Sequence, residues 1–141
     1  MKKSLSLLAI FLAFVQAKGQ DVKPDVLFAR KVLPIFQSKC LACHGEGPGG
    51  KLKGGLDMRG IPELLSGGES GEPSIVPGKP LQSPLYLAVT REHQDDWEAM
   101  PPKENDRLAA QQVGYIRQWI AGGAPWPDQD RMAEILKQAN P

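Results

Sequence analysis

The sequence is poor in aromatic residues and cysteine, and it carries no surplus of either charge. Aromatic residues make up 6% of its 141 residues, whereas it contains 15 glycines and 13 prolines. Lys and Arg total 17 against 16 Asp and Glu, so the charge balance argues against nucleic-acid binding and against an acidic disordered tail. A chain of this length forms one domain, and so few large side chains favour a core that is completed by a bound cofactor.

The longest apolar run is also too short to span a membrane. Residues 5–15 are apolar but fall well short of the roughly 20 residues that a membrane-spanning helix needs. Lys2 and Lys3 precede this run, and Val15-Gln16-Ala17 at its end places small residues at the two positions that a signal peptidase reads. This pattern predicts a signal peptide over residues 1–17, with export to the periplasm or beyond and no transmembrane span after cleavage. An uncleaved membrane anchor is the alternative.

The remaining chain shows helical periodicity, and nothing in it indicates a β-strand. Residues 18–23 are predicted to be disordered, residues 24–127 to form the domain, and residues 128–141 to form a short helical tail. Apolar spacing predicts a first helix that begins at Pro24 and is kinked at Pro34. Further helices are predicted at 61–65 and at 84–92, the latter with Ser83 as its N-cap. The long segment 45–80 is rich in glycine and proline.

The last large helix of the domain has the clearest amphipathic pattern. Asn105 or Asp106 is predicted to cap its N-terminus, and the glycine pair at 122 and 123 is predicted to end it. Gly114 lies inside this helix, where glycine costs about 1 kcal/mol relative to alanine. Either a close crossing with another helix or a harmless surface position accounts for this residue.

The only two cysteines of the sequence lie in the pentapeptide Cys-Leu-Ala-Cys-His at residues 40–44. This is the C-x-x-C-H pattern of c-type haem attachment. On one helical turn Cys40 and Cys43 share a face, so each sulfur can add to one vinyl group of the same haem. His44 follows directly and can bind the iron as proximal ligand. The sequence therefore predicts one covalent haem c per chain, and hence one iron.

Three other interpretations of the pentapeptide are possible. A disulfide between Cys40 and Cys43 would close a very small loop and stabilise the fold little. A thiol–disulfide enzyme needs a βαβ context, which the pattern does not predict. A zinc site could combine these cysteines with His44 and His93, but adjacent Cys43 and His44 suit a closed tetrahedral site poorly.

A haem that only transfers electrons needs a second axial ligand. The possible ligands are Met58, Met100, Met132 and His93. Met100 is favoured because Pro101 and Pro102 follow it and limit the number of conformers that ligation must restrict. His/Met ligation predicts a comparatively high reduction potential, since thioether sulfur favours Fe(II). An unoccupied sixth position is the alternative.

Several motifs together resemble the planctomycete-type cytochrome c domains of exported bacterial proteins. They are Val32-Leu-Pro-Ile-Phe36, Cys40-Leu-Ala-Cys-His-Gly45, Gly55-Leu-Asp-Met-Arg59, the segment 70–80, Met100-Pro-Pro102, Ile116-Arg-Gln-Trp-Ile120 and Gly123-Ala-Pro-Trp-Pro127.

The resemblance implies an all-α cytochrome c fold in which His44 and Met100 are the axial ligands. It also implies that Arg59 and Trp119 line the haem pocket, with Arg59 near a propionate. A surface role for Arg59 and an ordinary core role for Trp119 are the alternatives. Met58 departs from the family pattern, which more often has Thr or Leu at this position.

These observations predict an electron-transfer protein rather than an enzyme. We expect a one-electron carrier that exchanges electrons with redox partner proteins, whose identity the sequence does not reveal. A five-coordinate haem enzyme or a gas or redox sensor is the second possibility, and it requires an open sixth position. A haem-free binding module with oxidised cysteines is the third.

Overall fold

The computed structural model describes residues 22–46 and 48–138, and in these residues it contains helices and no strands. The predicted all-α fold is therefore confirmed for this part of the chain. The helices are α1 (Pro24–Leu27), α2 (Leu33–Lys39), α3 (Leu41–His44), α4 (Ile61–Ser66), α5 (Pro84–Thr90), α6 (Ala110–Ala121) and α7 (Gln129–Lys137). Short 3₁₀ turns lie at Pro48–Gly50, Lys53–Gly55, Pro80–Gln82 and Glu104–Asp106. The predicted signal peptide, residues 1–17, lies outside the described residues.

Helices α1 and α2 are joined by one π-helical turn, Phe28–Val32, into a continuous helical segment. Pro34 has no N–H to donate to the carbonyl one turn earlier, so a regular α-helix cannot continue through it undistorted. The N–H of Leu33 instead bonds to the carbonyl of Phe28, five residues back. The distortion predicted at Pro34 thus takes the form of a wider turn just before the proline.

Helix α6 packs across this segment, and aromatic rings fill the contact. Trp119 is fully buried, with its ring centroid 5.3 Å from that of Phe28 and 5.7 Å from that of Phe36. Trp126, after the end of α6, lies 4.4 Å from the ring of Phe28. The indole N–H of Trp119 donates to the carbonyl of Pro125 at 2.8 Å, which ties the chain after α6 to the core.

The predicted start of α6 is wrong, whereas its predicted end is confirmed. Residues Glu104–Asp106 form a separate 3₁₀ turn, and α6 begins at Ala110 with Ala109 as its N-cap. Ala109 has no side-chain acceptor, but its own N–H donates to Oε1 of Gln112 at 2.9 Å. Gly122 follows the last helical residue as expected. Gly114 has open space around it, so the surface explanation for this glycine is correct.

The C-terminal helix α7 packs against the first helical segment. Ile135 is fully buried, and its carbonyl accepts a hydrogen bond from Arg30 at 3.0 Å. Arg131 donates from two nitrogens to one carboxylate oxygen of Asp25, at 2.8 and 3.0 Å. Asp128 caps the helix by accepting from the N–H of Arg131. The predicted tail is therefore an integral part of the folded domain.

Helix α5 begins after Ser83 as predicted, but the serine does not cap it. The fully buried Ser83 hydroxyl donates to the carbonyl of Lys79 and accepts from the N–H of Val76, both at 2.9 Å. The serine thereby closes the turn that precedes the helix. At its other end α5 stops at Thr90, and Arg91 adopts a left-handed conformation. Within the described residues, no helix has the length and apolar character needed to cross a membrane.

Candidate functional site

The cysteine pair and the following histidine lie where α2 ends and α3 begins. Cys40 is the residue between the two helices, and its carbonyl accepts from the N–H groups of Cys43 at 3.1 Å and His44 at 2.9 Å. This single turn brings the two cysteines and the histidine together, as the spacing predicts. Both thiols are free and half-buried. Two free thiols on one short turn are the arrangement that double thioether attachment requires.

The thiol of Cys40 has an unusually high pKa. Burial raises the pKa of Cys40 to about 12, and the nearby Cys43 contributes to the increase. Thiol–disulfide enzymes depend on the opposite effect, because a lowered pKa makes their attacking thiolate available. The environment of Cys40 thus gives no support to a thioredoxin-like role.

The ring of His44 is held through one of its two nitrogens. Nδ1 lies 3.3 Å from the carbonyl oxygen of Leu56, and because a carbonyl can only accept, Nδ1 carries the hydrogen. Nε2, the other ring nitrogen, is then the one that can bind a metal. The carbonyl of His44 also accepts from the N–H of Met58 at 2.7 Å. Segment 56–58 therefore fixes both the orientation and the tautomer of the histidine.

The predicted pocket residues Arg59 and Trp119 lie in very different surroundings. Arg59 has a side chain that is 54% exposed and forks onto the carboxylate of Asp57, with Nη2 2.7 Å from Oδ2. This pairing holds the pKa of Asp57 below its ordinary value. Trp119 is buried in the aromatic core. Arg59 also lines an open cleft of about 420 Å³ together with Gly45, Glu46, Gly50 and Leu52.

Met100 is half-buried and packs against the hydrophobic core at the far end of α5. Its N–H donates to the carbonyl of Ala88 at 3.1 Å, and the carbonyl of the next residue, Pro101, accepts from Arg91 at 2.6 Å. Hydrogen bonds therefore connect the backbone on both sides of the Met100 side chain to the C-terminal end of α5, one to Ala88 in its last turn and one to Arg91, which follows the helix.

The other possible sixth ligands have different environments. Met58 is 4% exposed, and its backbone N–H donates a hydrogen bond to the backbone carbonyl of His44. His93 is half-buried, and its carbonyl accepts from the N–H groups of Asp96 and Trp97 in a turn. Met132 lies on α7 and packs against the core.

Two contacts of the site have no signal in the sequence. The acceptor for His44 is the backbone carbonyl of Leu56, which any residue at that position would supply. The donor to Pro101 is Arg91, ten residues away and on another element. Neither could have been identified from residue type or spacing.

The donor set fits a haem better than a metal ion held by protein side chains alone. In the described stretches, 22–46 and 48–138, no three side chains of His, Cys, Asp or Glu form a group that could hold a metal ion. A haem iron needs no such group, because the porphyrin supplies four nitrogens and the protein supplies one or two axial ligands. A histidine that is held through Nδ1 and can bind a metal through Nε2, next to two free thiols, meets that requirement.

Comparison with known proteins agrees with this chemistry. Residues 40–104 match the family model described as planctomycete cytochrome C. The match begins at Cys40 and includes His44, Arg59 and Met100, whereas α6 and α7 lie beyond it. No curated protein and no solved structure matches the chain.

Proposed function

We propose that this planctomycete-type cytochrome c domain carries a single haem c and works as an exported one-electron carrier. Cys40 and Cys43 would form the two thioether bonds, and His44 and Met100 would ligate the iron. The observation that carries the proposal is the hydrogen bond from Nδ1 of His44 to Leu56, beside two free thiols on the same turn. That bond leaves Nε2 free for a metal.

A bound haem would supply an iron that can accept and return one electron. The residues of the chain hold it and set its potential. Cys40 and Cys43 tether the group, which matters after export, where a lost cofactor is not easily recovered. His44 keeps one ring orientation through Leu56, and the soft thioether of Met100 favours the reduced state, so a high potential is expected.

Several contacts favour Met100 over the alternatives as sixth ligand. Met58 donates its backbone N–H to the carbonyl of His44, so it belongs to the same local segment as the proposed proximal ligand. Met100 lies on a different part of the chain, at the end of α5, and is only half-buried, so its sulfur is available to a group that covers it. Two following prolines restrict the conformers of this segment.

The roles of Arg59 and Trp119 are part of the same proposal. Arg59 lies beside Gly45 at the cleft next to the haem-attachment turn, and a propionate there would compete with Asp57 for its guanidinium. Trp119 would line the haem pocket from the aromatic core, where its ring packs on Phe28 and Phe36 of the first helical segment. The predicted signal peptide, residues 1–17, would direct the chain out of the cytoplasm, and c-type haem attachment is expected to accompany this export.

Mass spectrometry of the secreted, mature protein tests attachment and export together. Expression in a strain with haem-attachment machinery should give a chain that starts after Ala17 and is heavier by one haem. Cys40→Ala combined with Cys43→Ala should remove that added mass. Mature wild-type protein without a haem mass would contradict the proposal and favour the haem-free module.

Visible absorption then tests the sixth ligand. Oxidised wild type should show the weak far-red band of a methionine–iron bond, and Met100→Ala should abolish it. Met132→Ala is the matched control, a half-buried methionine on α7 whose loss should leave the band unchanged. A high-spin wild-type spectrum with rapid carbon monoxide binding would instead indicate the five-coordinate enzyme or sensor.

A further inference from the structure

We propose that Arg91 is the positioning residue that holds the Met100 segment in the conformation needed for iron ligation. The inference rests on the proposed role of Met100 as sixth ligand and adds the group that keeps it in place. The ligand loop is defined here as residues 91–107, from the end of α5 to the start of the α6 region.

The backbone of Arg91 is the first indication of a special role. Arg91 is in the left-handed region with φ 63°, at the C-terminal end of α5. Helices often end with a residue in this conformation, and it is usually glycine because a side chain makes the conformation costly. The free-energy cost of the left-handed conformation at Arg91 therefore has to be offset by the contacts that its side chain makes.

The guanidinium of Arg91 makes two contacts, both within the ligand loop. Its side chain is only 12% exposed. Nη1 donates to the carbonyl of Pro101 at 2.6 Å, and Nη2 donates to Oε2 of Glu104 at 2.9 Å. One side chain therefore connects the end of α5 to two points that are ten and thirteen residues further along the chain.

These contacts complete an attachment on both sides of Met100. The carbonyl of Ala88 holds the N–H of Met100, and Arg91 holds the carbonyl of Pro101, the next residue. The donor and the acceptor both belong to the last turn of α5 or to the residue that follows it. The backbone that carries the Met100 side chain is thus clamped to a helix end before any ligand bond forms.

A clamp of this kind matters because a weak ligand bond must offset the entropy lost when its segment is ordered. Preorganisation reduces that loss, so the bound fraction of the methionine rises without any change in the sulfur itself. The planar guanidinium suits the task, since it can donate to two acceptors in fixed directions, whereas a lysine ammonium presents a single point charge.

Arg91→Gln and Arg91→Lys, in the haem-loaded protein, test the proposal. The matched control is Arg107→Gln, because Arg107 is 59% exposed and also pairs with Glu104, at 3.3 Å, but the contacts found for it do not include Pro101. In Arg91→Gln we expect a weaker far-red methionine–iron band, a lower reduction potential, and carbon monoxide association with the reduced protein faster by about tenfold. Arg91→Lys should fall between this variant and wild type, and Arg107→Gln should match wild type.

Hydrogen exchange at the Met100 amide gives a readout that does not depend on the iron. Loss of Arg91 should speed this exchange, whereas Arg107→Gln should not. Equal exchange and equal carbon monoxide rates in the Arg91 and Arg107 variants would overturn the proposal. If Arg91→Gln fails to mature, the same comparison with Arg91→Lys decides. A wild type without the far-red band, or a Met100→Ala variant that keeps it, would instead refute the proposed ligand, and the amide exchange would then show whether the clamp exists by itself.

Discussion

Replacing Ile135 by alanine tests whether α7 is needed for the stability of the domain. The Ile135 side chain is fully buried, and the substitution removes three carbon atoms from it. At about 0.8 kcal/mol for each buried carbon, the transfer term is about 2.4 kcal/mol. The cavity left behind adds to this term, and measured isoleucine-to-alanine changes in cores cost roughly 2–5 kcal/mol. The hydrogen bond from Arg30 survives, because it goes to the backbone carbonyl of Ile135.

The neighbouring residue provides the matched control for this prediction. Leu136 is 51% exposed on the same helix, so Leu136→Ala should change stability by no more than about 0.5 kcal/mol. Urea unfolding of the haem-loaded protein, followed by far-ultraviolet circular dichroism, should show a midpoint lower by about 1–2 M for Ile135→Ala. Equal midpoints for the two variants would refute the packing of α7 described above.

Two further predictions concern a pair of glycines and one ion pair. Gly114→Ala should raise the free energy of unfolding by about 0.5–1 kcal/mol, because its Cβ meets nothing and alanine favours the helix. Gly122→Ala should lower the free energy of unfolding, since the new Cβ would lie 2.5 Å from Cγ of Pro24. If the urea midpoints of the two glycine variants shift in the same direction, both predictions cannot hold. Burial acts to raise the pKa of Asp25, but hydrogen bonds, chiefly from Arg131, outweigh it and leave the pKa below its ordinary value of 3.8. A carboxyl group whose pKa is lower in the folded state stabilises the fold at pH values above its unfolded pKa, and this stabilisation is lost as the pH falls through its folded pKa. The urea midpoint of wild type should therefore exceed that of Asp25→Asn at neutral pH, and the difference should shrink below about pH 4. A difference in midpoint that persists at about pH 2 would refute this assignment.

Local sequence signals predicted the helices well where the determining contacts are local. Helix α4 follows its apolar spacing, and α5 begins at the Ser83-Pro84 pair. The predicted start of α6 is wrong because the residues that resemble caps form a 3₁₀ turn of their own, and the side chain of Gln112 accepts from the N–H of Ala109 at the actual start. Asp106 belongs to the separate 3₁₀ turn, and its Oδ1 lies 3.4 Å from Nζ of Lys39 in α2.

The candidate site divides in the same way. One helical turn determines the relative positions of Cys40, Cys43 and His44, because all three lie within one short stretch of sequence. Their grouping could therefore be predicted from spacing alone. The contacts that orient the proposed ligands His44 and Met100 could not be predicted from spacing or residue type. Leu56 acts through its carbonyl, which every residue possesses, and Arg91 reaches Pro101 only because the fold returns the chain to the end of α5.

The two proposed axial ligands, His44 and Met100, should respond differently to substitution of their neighbours. The contact that orients His44 is made by backbone, so a change of the Leu56 side chain should affect the site through packing and leave the hydrogen bond in place. On the Met100 side, the carbonyl of Ala88 is equally independent of side-chain identity, but the second contact depends on the guanidinium of Arg91. A backbone acceptor survives every substitution that preserves the fold, whereas a guanidinium is lost with one. If Met100 is the sixth ligand as proposed, a single substitution at Arg91 is therefore expected to open the sixth position to small ligands, whereas no single side chain has that role on the His44 side.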